Sequence, residues 1–302
     1  MINQNKSIRL WGALMKNNKQ MVLACIDGST LSKAVCDHAV WIARRVDVPL
    51  KLLNTIDHHH ETATTADLSG NLVMDGREHL LEDITDLEHS HGKMRIQAGK
   101  LILKDAKERV IENGVSAPLA CLQHGSLIES LIELEDDIRV LVIGARGKIH
   151  EDQSDQIGAK LEAMIRSLHR PILVAYEDFK TPQRIMIAYD GGEAANKTVD
   201  MVATSPLYKG LICHLVCVSK NDSANGLLEK AFEKLKATGD IELIGASLQG
   251  NPEQALCEYQ VSHDIDLTIM GAFSHTRIHD LLLGSFTVKM LLNTNTPLLL
   301  LR

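Results

Sequence analysis

Aromatic residues are scarce in this sequence: phenylalanine, tryptophan and tyrosine together make up 3% of its 302 residues. Stacking platforms for nucleic-acid bases need such side chains, and a net charge of −7 argues against a broad basic face. No apolar run approaches the roughly 20 residues that a membrane span needs. We therefore expect no nucleic-acid partner and no membrane span, whereas a small acidic ligand remains open.

Cysteine pairs are also missing, since the six cysteines include no Cys-x-x-Cys motif and most lie in apolar stretches such as 22–26. This pattern is typical of small core residues in a reducing compartment and not of a disulfide framework. Residues 1–20 carry scattered lysine and arginine without the apolar stretch of a signal peptide. We expect a cytoplasmic protein.

Two familiar phosphate-binding motifs are absent, Gly-x4-Gly-Lys-(Ser/Thr) and Gly-x-Gly-x-x-Gly. Their absence removes the main support for a P-loop NTPase and for an ordinary Rossmann dehydrogenase. Neutral imidazoles could hold zinc or another transition metal, and the candidates are the consecutive His58, His59 and His60 together with His89 and His91. We favour a polar loop in solvent over a metal site there, because consecutive histidines cannot all point one way.

What the chain does have is an internal repeat. Residues 21–29 resemble 185–192, residues 140–147 resemble 267–274, and residues 170–175 resemble 296–301. Asp27 and Gly144 lie 117 residues apart, whereas the matching Asp190 and Gly271 lie 81 apart. The first half therefore has an insertion, which we place at about 58–92, together with a longer following helix. The apolar spacing over 77–113, which overlaps this insertion, is helical and predicts packing against the sheet.

Short aliphatic runs alternate with helical periodicity in both halves, the pattern of β-α-β units in a parallel sheet. The predicted strands are 22–26, 50–56, 117–122, 140–144 and 172–176 in the first half and 185–189, 212–218, 241–248, 267–271 and 298–302 in the second. The short linker 177–183 then divides the chain into domains 1–177 and 183–302, which we expect to pack together.

Open parallel sheets bind ligands beyond the carboxyl ends of their strands, and the special residues of the second half fall there. Asp190 follows its first strand and Gly271 its fourth, where glycine would permit a positive φ. The spacing Gly271-x2-Ser274-x9-Gly284-Ser285 predicts a loop that returns to a helix N-terminus, with the hydroxyls of Ser285 and Thr287 at its mouth. Free N–H groups at such an end suit a phosphate.

This arrangement resembles the universal stress protein family in its tandem two-domain form, over Met21 to Arg302 and most specifically over 281–288. The resemblance implies an α/β fold of two doubly wound, Rossmann-like (nucleotide-binding α-hydrolase-like) domains, with five-stranded parallel sheets in the order 3-2-1-4-5. It implies ATP or AMP as ligand, with Mg²⁺ left open. The implied binding residues are Asp190, Cys217, Gly271, Ser274, Gly284, Ser285 and Thr287.

In family members that bind ATP, the aspartate contacts the adenosine part, the end of the second strand lines the adenine pocket, and the glycine motif holds ribose and phosphates. Ser274 stands where that motif has its second glycine. The first half keeps Asp27, Gly144 and Gly147. However, ten residues instead of nine separate Gly147 from Gly158, and an alanine follows Gly158 where the motif has serine or threonine. Because 151–155 is also acidic and would repel phosphate, we expect a degenerate first site.

The function that follows is that of a stress-response regulator acting through nucleotide occupancy, without an identified catalytic residue. Two alternatives stay open: a slow ATP hydrolase and a nucleotide-free interaction scaffold. Each half ends in an apolar strand, 172–175 and 298–301, which would be an exposed hydrophobic edge if unpaired. We expect these edges to pair as an intrachain pseudo-dimer, while a further homodimer and a protein partner are left open.

Overall fold

The computed structural model describes residues 20–56, 74–146, 159–176, 179–219, 224–237, 241–272 and 283–302. For residues 74–88, 159, 224–225 and 227 the backbone alone is described. Gly147, Gly158, Ser274 and the histidine run 58–60 lie outside these segments, so the expectations placed on them stay predictions.

Ten strands form one continuous sheet, and each lies within three residues of a predicted strand. Their short, largely β-branched and aliphatic sequences are what buried parallel strands require. The strands are β1 Met21–Cys25, β2 Leu50–Ile56, β3 Leu119–His124, β4 Ile138–Gly144, β5 Ile172–Ala175, β6 Arg184–Ala188, β7 Ile212–Val218, β8 Glu242–Leu248, β9 Leu267–Gly271 and β10 Leu298–Leu301.

The order across the sheet is β3-β2-β1-β4-β5-β10-β9-β6-β7-β8, so the strands of each half follow the pattern 3-2-1-4-5. Neighbouring strands within a half are parallel. The halves meet where β5 pairs antiparallel with β10, with Leu173 opposite Leu299. The expected pairing of the two apolar edges is therefore present, and it joins two sheets into one.

Eight α-helices connect the described strands. They are α1 Ser32–Val46, α2 Met74–Glu112, α3 Leu127–Glu133, α4 Ala159–Ser167, α5 Glu193–Thr204, α6 Ala224–Lys236, α7 Pro252–Ser262 and α8 Ser285–Asn293. Residues of α1, α2, α5 and α6 share one hydrophobic cluster, and residues of α3, α4, α7 and α8 share a second. Since each cluster also draws strand residues from both halves, helices cover both faces of the sheet, as a doubly wound fold requires.

The insertion of the first half differs from the expected polar loop. Helix α2 begins at Met74, so the second part of the stretch 58–92 is helical. No proline interrupts 74–112, which lets the helical spacing predicted for 77–113 extend toward the N-terminus. His89 and His91 are exposed on this helix. The described residues contain no group of three or more side chains able to hold a metal ion.

The connection between the halves is held to the second half by Asp266, at the start of β9. Its carboxylate accepts hydrogen bonds from the backbone N–H groups of Gln183 and Arg184 and pairs with Lys180, at 2.7 Å. Burial alone would raise the pKa of Asp266, but Lys180 and the two N–H groups hold it below its usual value. The described part of the connection is thus fixed by charge-assisted bonds.

Replacing Leu299 with alanine tests the pairing of the halves. Its side chain is fully buried opposite Leu173, so the lost contacts and the resulting cavity should lower the free energy of unfolding by about 2–5 kcal/mol. Urea denaturation should give a single transition in both proteins, because one sheet spans both halves. The matched change Val261→Ala, at a side chain 82% exposed, should cost less than about 0.5 kcal/mol. Two separate transitions in the unmodified protein would contradict this account.

Stability should also fall with acidification. Burial lowers the pKa of His38 and of His214, so both are neutral in the folded state at pH 7. The unfolded chain binds these protons below about pH 6.5, and the free energy of unfolding should therefore decrease from pH 7 to pH 5. His38→Leu should flatten this slope, whereas the same change at the exposed His89 should leave it intact. If the free energy of unfolding fell equally with pH in the unmodified protein and in both variants, His38 would not be a source of the pH dependence.

Candidate ligand-binding site

The same turn follows the first strand of each half. Gly28 has φ +77° and Gly191 has φ +78°, a left-handed conformation that favours glycine. In the first turn the Asp27 carboxylate accepts from the N–H of Ser29 at 3.0 Å, and in the second Asp190 accepts from the N–H of Gly192 at 2.8 Å. Each aspartate is thus held at the carboxyl end of a strand.

A second repeated turn follows the third strand of each half, where Gly125 has φ +110° and Gly250 has φ +112°. In the second half the next residue, Asn251, caps α7 by accepting from the N–H groups of Glu253 and Gln254. This cap fixes the start of α7 beside the end of β6. Pro252, the first residue of α7, consequently becomes part of the site.

The glycine motif is built differently from our expectation at Gly271. Its φ is not positive, so the positive φ that glycine would permit is not used there. A Cβ atom at this position would instead lie 2.7 Å from the Cβ of Ala194 in α5. Glycine is therefore needed because the start of α5 approaches the end of β9 too closely for any side chain.

Helix α8 begins as predicted, with Gly284 as its N-cap and Ser285 as its first residue. Thr287 is buried, and its hydroxyl donates to the carbonyl of Ala272 at 2.9 Å. This bond ties α8 to the end of β9. Ser285 is exposed. Of the two hydroxyls expected at the mouth, Thr287 lies in the cavity wall and Ser285 does not.

These elements enclose a cavity of about 290 Å³ at the carboxyl ends of β6, β7 and β9. Its described walls are mostly apolar, and Asp190 is the one charged side chain among them. The lining residues are Ala188, Tyr189, Asp190, Ala194, Ala195, Val216, Val218, Pro252, Leu256, Met270, Gly271, Gly284, Phe286 and Thr287. An apolar cleft with few polar groups is the usual form of a small-molecule site.

Cys217 is not part of this wall. Successive side chains of a strand point to opposite faces, and Val216 and Val218 line the cavity whereas Cys217 belongs to the hydrophobic cluster of the other face. Burial, reinforced by Asp190, raises the pKa of its thiol. The sequence places the end of the second strand correctly, but the residues that face the cavity are the two valines.

The positive charge of Lys289, in α8, is already paired with a carboxylate. Lys289 of α8 forms an ion pair with Glu253 of α7, and this lysine lowers the pKa of the Glu253 carboxyl. The sequence also offers His275, Arg277 and His279 as cations between β9 and α8, and these lie outside the described residues. Within the described walls, an anionic group would meet backbone N–H groups at the start of α8 instead of a lysine or arginine.

The first half has a smaller cavity, of about 140 Å³, at the matching strand ends. Asp27 and Gly144 line it, as the repeat predicts. Two cations, Arg146 and Lys160, line it as well, and sequence reasoning did not single them out. The acidic stretch 151–155, on which the expectation of a degenerate site rests, lies outside the described residues, so that expectation stays a prediction.

Sequence reasoning also missed Asn196, which braces the second-half turn. Its side-chain amide donates to the carbonyls of Gly191 and Gly192 at 3.0 and 2.8 Å, and its Oδ1 accepts from the Tyr189 hydroxyl at 2.9 Å. The available signal was its position, near the start of α5 and one helical turn after the turn glycines. Asn196 thereby fixes the backbone that carries Asp190.

Fold and cavity together define a tandem, doubly wound α/β protein with clefts at the carboxyl ends of its strands. The model of the universal stress protein family matches residues 20–175 and 220–302. Since these segments make up more than half of the chain, the chain belongs to the universal stress protein family.

One relative supports this assignment by its sequence, and two solved structures share the fold. The universal stress protein Slr1230 of Synechocystis sp. is 34% identical over 295 residues, which cover 95% of this chain and 100% of that protein. A universal stress protein from Archaeoglobus fulgidus has a similar solved structure, with a TM-score of 0.68, 16% identity and coverage of 94% of this chain and 96% of that one. A functionally unknown protein from Pseudomonas aeruginosa PAO1 follows with a TM-score of 0.55, 12% identity and coverages of 94% and 92%.

Among the residues that the structure describes, no helix has both the length and the apolar character needed to cross a membrane.

Gly271→Ala tests the close approach of α5 to β9. The added Cβ would overlap that of Ala194, and overpacking of this kind should lower the free energy of unfolding by about 1–3 kcal/mol. Ala194→Gly removes the opposing atom. Gly271→Ala should therefore cost much less in the Ala194→Gly protein than in the unmodified protein. A double-mutant cycle from urea denaturation measures the coupling. Additive effects of the two changes would contradict the contact.

Proposed function

We propose that this protein is an adenine-nucleotide-binding regulator of the stress response, and that it acts through occupancy of the second-half cavity. The observation that carries the proposal is the arrangement of this cavity between Asp190 and the N-terminus of α8. Membership of the universal stress protein family supports the stress-response role.

The apolar walls suit a purine base. Val216, Val218 and Phe286 present aliphatic and aromatic surface to the cavity. Burying such surface against a flat heteroaromatic ring is favourable and needs no charge. Asp190, held by the N–H of Gly192, can accept a hydrogen bond from a ribose hydroxyl or an exocyclic amine. We therefore propose that the apolar walls and Asp190 bind the nucleoside part of the ligand.

The phosphate part would meet the first turn of α8. Gly284 and Ser285 begin this helix, and N–H groups of a first turn have no partner within their helix. Together with the helix dipole they suit a phosphate group. We propose Gly271, Ser274, Gly284 and Ser285 as the groups around ribose and phosphates.

The same geometry favours holding the nucleotide over transferring its phosphate. Fast phosphoryl transfer needs metal-bridged phosphates, a positioned nucleophile and stabilising cations. Among the described lining residues Asp190 is the single carboxylate. In our proposal it contacts the adenosine part and not the transferring phosphate. Lys289 is paired with Glu253. In this proposal the signal is the presence of a nucleotide in the cavity. ATP can bind there with or without Mg²⁺.

Two further proposals accompany this function. The chain divides into domains 1–177 and 183–302, of which the second binds the nucleotide. All six cysteines are free thiols. Because free thiols persist in a reducing compartment, we place the protein in the cytoplasm.

Matched substitutions in the two halves test where the nucleotide binds. Asp190→Asn should weaken AMP and ATP binding about tenfold or more, because a charge-assisted hydrogen bond is lost. Gly284→Val should abolish binding, since Gly284 lines the cavity and has no side chain. Asp27→Asn and Gly158→Val, the changes at the matching positions of the first half, should leave binding intact. Isothermal titration calorimetry provides the affinities and the stoichiometry.

The reverse pattern, in which binding survives the second-half changes and is lost with the first-half ones, would overturn the assignment of domains. The hydrolase alternative has its own signature. A steady-state kcat on the order of 1 s⁻¹ or more, lost in Asp190→Asn, would make the protein an enzyme and contradict signalling by occupancy.

A further inference from the structure

A third cavity, of about 490 Å³, lies away from both strand-end clefts. Helix α1, the C-terminal end of α2 and the connection between the halves form its walls. It shares no lining residue with the other two cavities, and neither the repeat nor the family resemblance predicts it. Its volume is in the range of small-molecule sites.

The one carboxylate in this wall is already neutralised. Asp37 accepts two hydrogen bonds from the guanidinium of Arg109, at 2.8 and 2.5 Å, and a third from the side-chain amide of Asn113 at 2.8 Å. A bidentate pair of this kind is strong and directional. Asp37 and Arg109 therefore cancel each other's charge and act as a rigid part of the wall.

Two further guanidiniums of the wall have no carboxylate partner within the described residues. Arg44 donates to the backbone carbonyl of Asn113 at 3.1 Å, and Arg45 donates to that of Lys209. Neither forms an ion pair in this part of the chain. In a protein of net charge −7, two positive charges thus remain beside one cavity.

Two aromatic side chains, Trp41 and Phe179, also line the cavity. Trp41 is 7% exposed, and its Nε1 is buried without an acceptor among the described residues. Phe179 lies edge-on against His38, with ring centroids 4.8 Å apart. The wall thus combines aromatic surface with the two guanidiniums of Arg44 and Arg45.

We propose that this cavity is a second ligand site, which binds a small organic anion made of a carboxylate or phosphate group on a flat apolar body. Arg44 and Arg45 bind the anionic group, because guanidiniums match the planar oxygen pairs of such groups. The apolar body packs against Trp41 and Phe179. This inference does not rest on the nucleotide site in the second half.

The position of the site gives its ligand access to both halves. Arg45 of α1 reaches a carbonyl of the second half, and Phe179 belongs to the connection between them. A ligand here therefore contacts residues that hold the halves together. This cavity and the strand-end cleft could therefore each hold a ligand at the same time.

Trp41 offers a local probe for this site, since the sequence has one other tryptophan, Trp11. In the Trp11→Phe variant, phenyl phosphate should change the fluorescence of Trp41 with saturation. Inorganic phosphate should bind more weakly because it lacks the apolar body, and phenol should bind more weakly because it lacks the charge. Raising the salt concentration should weaken the binding of phenyl phosphate.

The variant Arg44→Gln/Arg45→Gln, in the same background, should weaken phenyl phosphate binding about tenfold or more. The control Lys100→Gln/Arg139→Gln makes the same change in net charge at exposed positions outside the cavity and should bind normally. Circular dichroism and thermal melting check the folding of each protein. Arg44→Lys/Arg45→Lys keeps the charge and loses the planar fork, so its affinity should be intermediate.

Three results would overturn the proposal. They are the absence of a saturable change in Trp41 fluorescence, unchanged affinity in the folded Arg44→Gln/Arg45→Gln variant, and an equal loss in the Lys100→Gln/Arg139→Gln control. An acidic peptide that binds with the same dependence on Arg44 and Arg45 while phenyl phosphate does not would make the cavity a protein-docking surface instead. The nucleotide affinity of the second half should be unchanged in all of these variants, which separates this test from that of the proposed function.

Discussion

The antiparallel pairing of β5 with β10 is the interaction on which the rest of the structure depends. Both strands are short, entirely apolar and buried, so each would present unpaired backbone groups and hydrophobic surface if the halves separated. Their pairing makes one ten-stranded sheet and extends both hydrophobic clusters across the two halves. Because the parallel strands of one half run opposite to those of the other, the two strand-end clefts open at opposite edges of the sheet.

This geometry lets two similar folds diverge. The Asp-Gly turn is repeated with nearly the same backbone angle at Gly28 and Gly191, so the frame of the site is common to both halves. The walls differ: the first cleft has Arg146 and Lys160 and is about half the volume of the second, whose walls are largely apolar.

The sequence predicted the strands closely because β-branched and aliphatic runs bounded by turn residues leave few alternatives. It also placed Asp190, Gly271 and Gly284 at the strand-end cleft. It misjudged details that depend on three-dimensional packing: Cys217 points to the other face, and Gly271 is required by Ala194 and not by its own φ. The cavity beside Trp41 was invisible because its walls come from segments far apart in the chain. The hydrophobic pattern of the sequence predicts where helices and strands lie. Which atoms face a ligand depends on the orientation of each strand residue and on how closely the helices approach the sheet.

Hydrogen–deuterium exchange with and without AMP tests the central claim most directly, since it reports where a bound nucleotide protects the backbone without altering the protein. Our account predicts protection of the turn after β6, of the start of α7 and of the first turn of α8, with the matching segments of the first half unchanged. Protection confined to the turn after β1 and the end of β4, or none at saturating AMP, would contradict it.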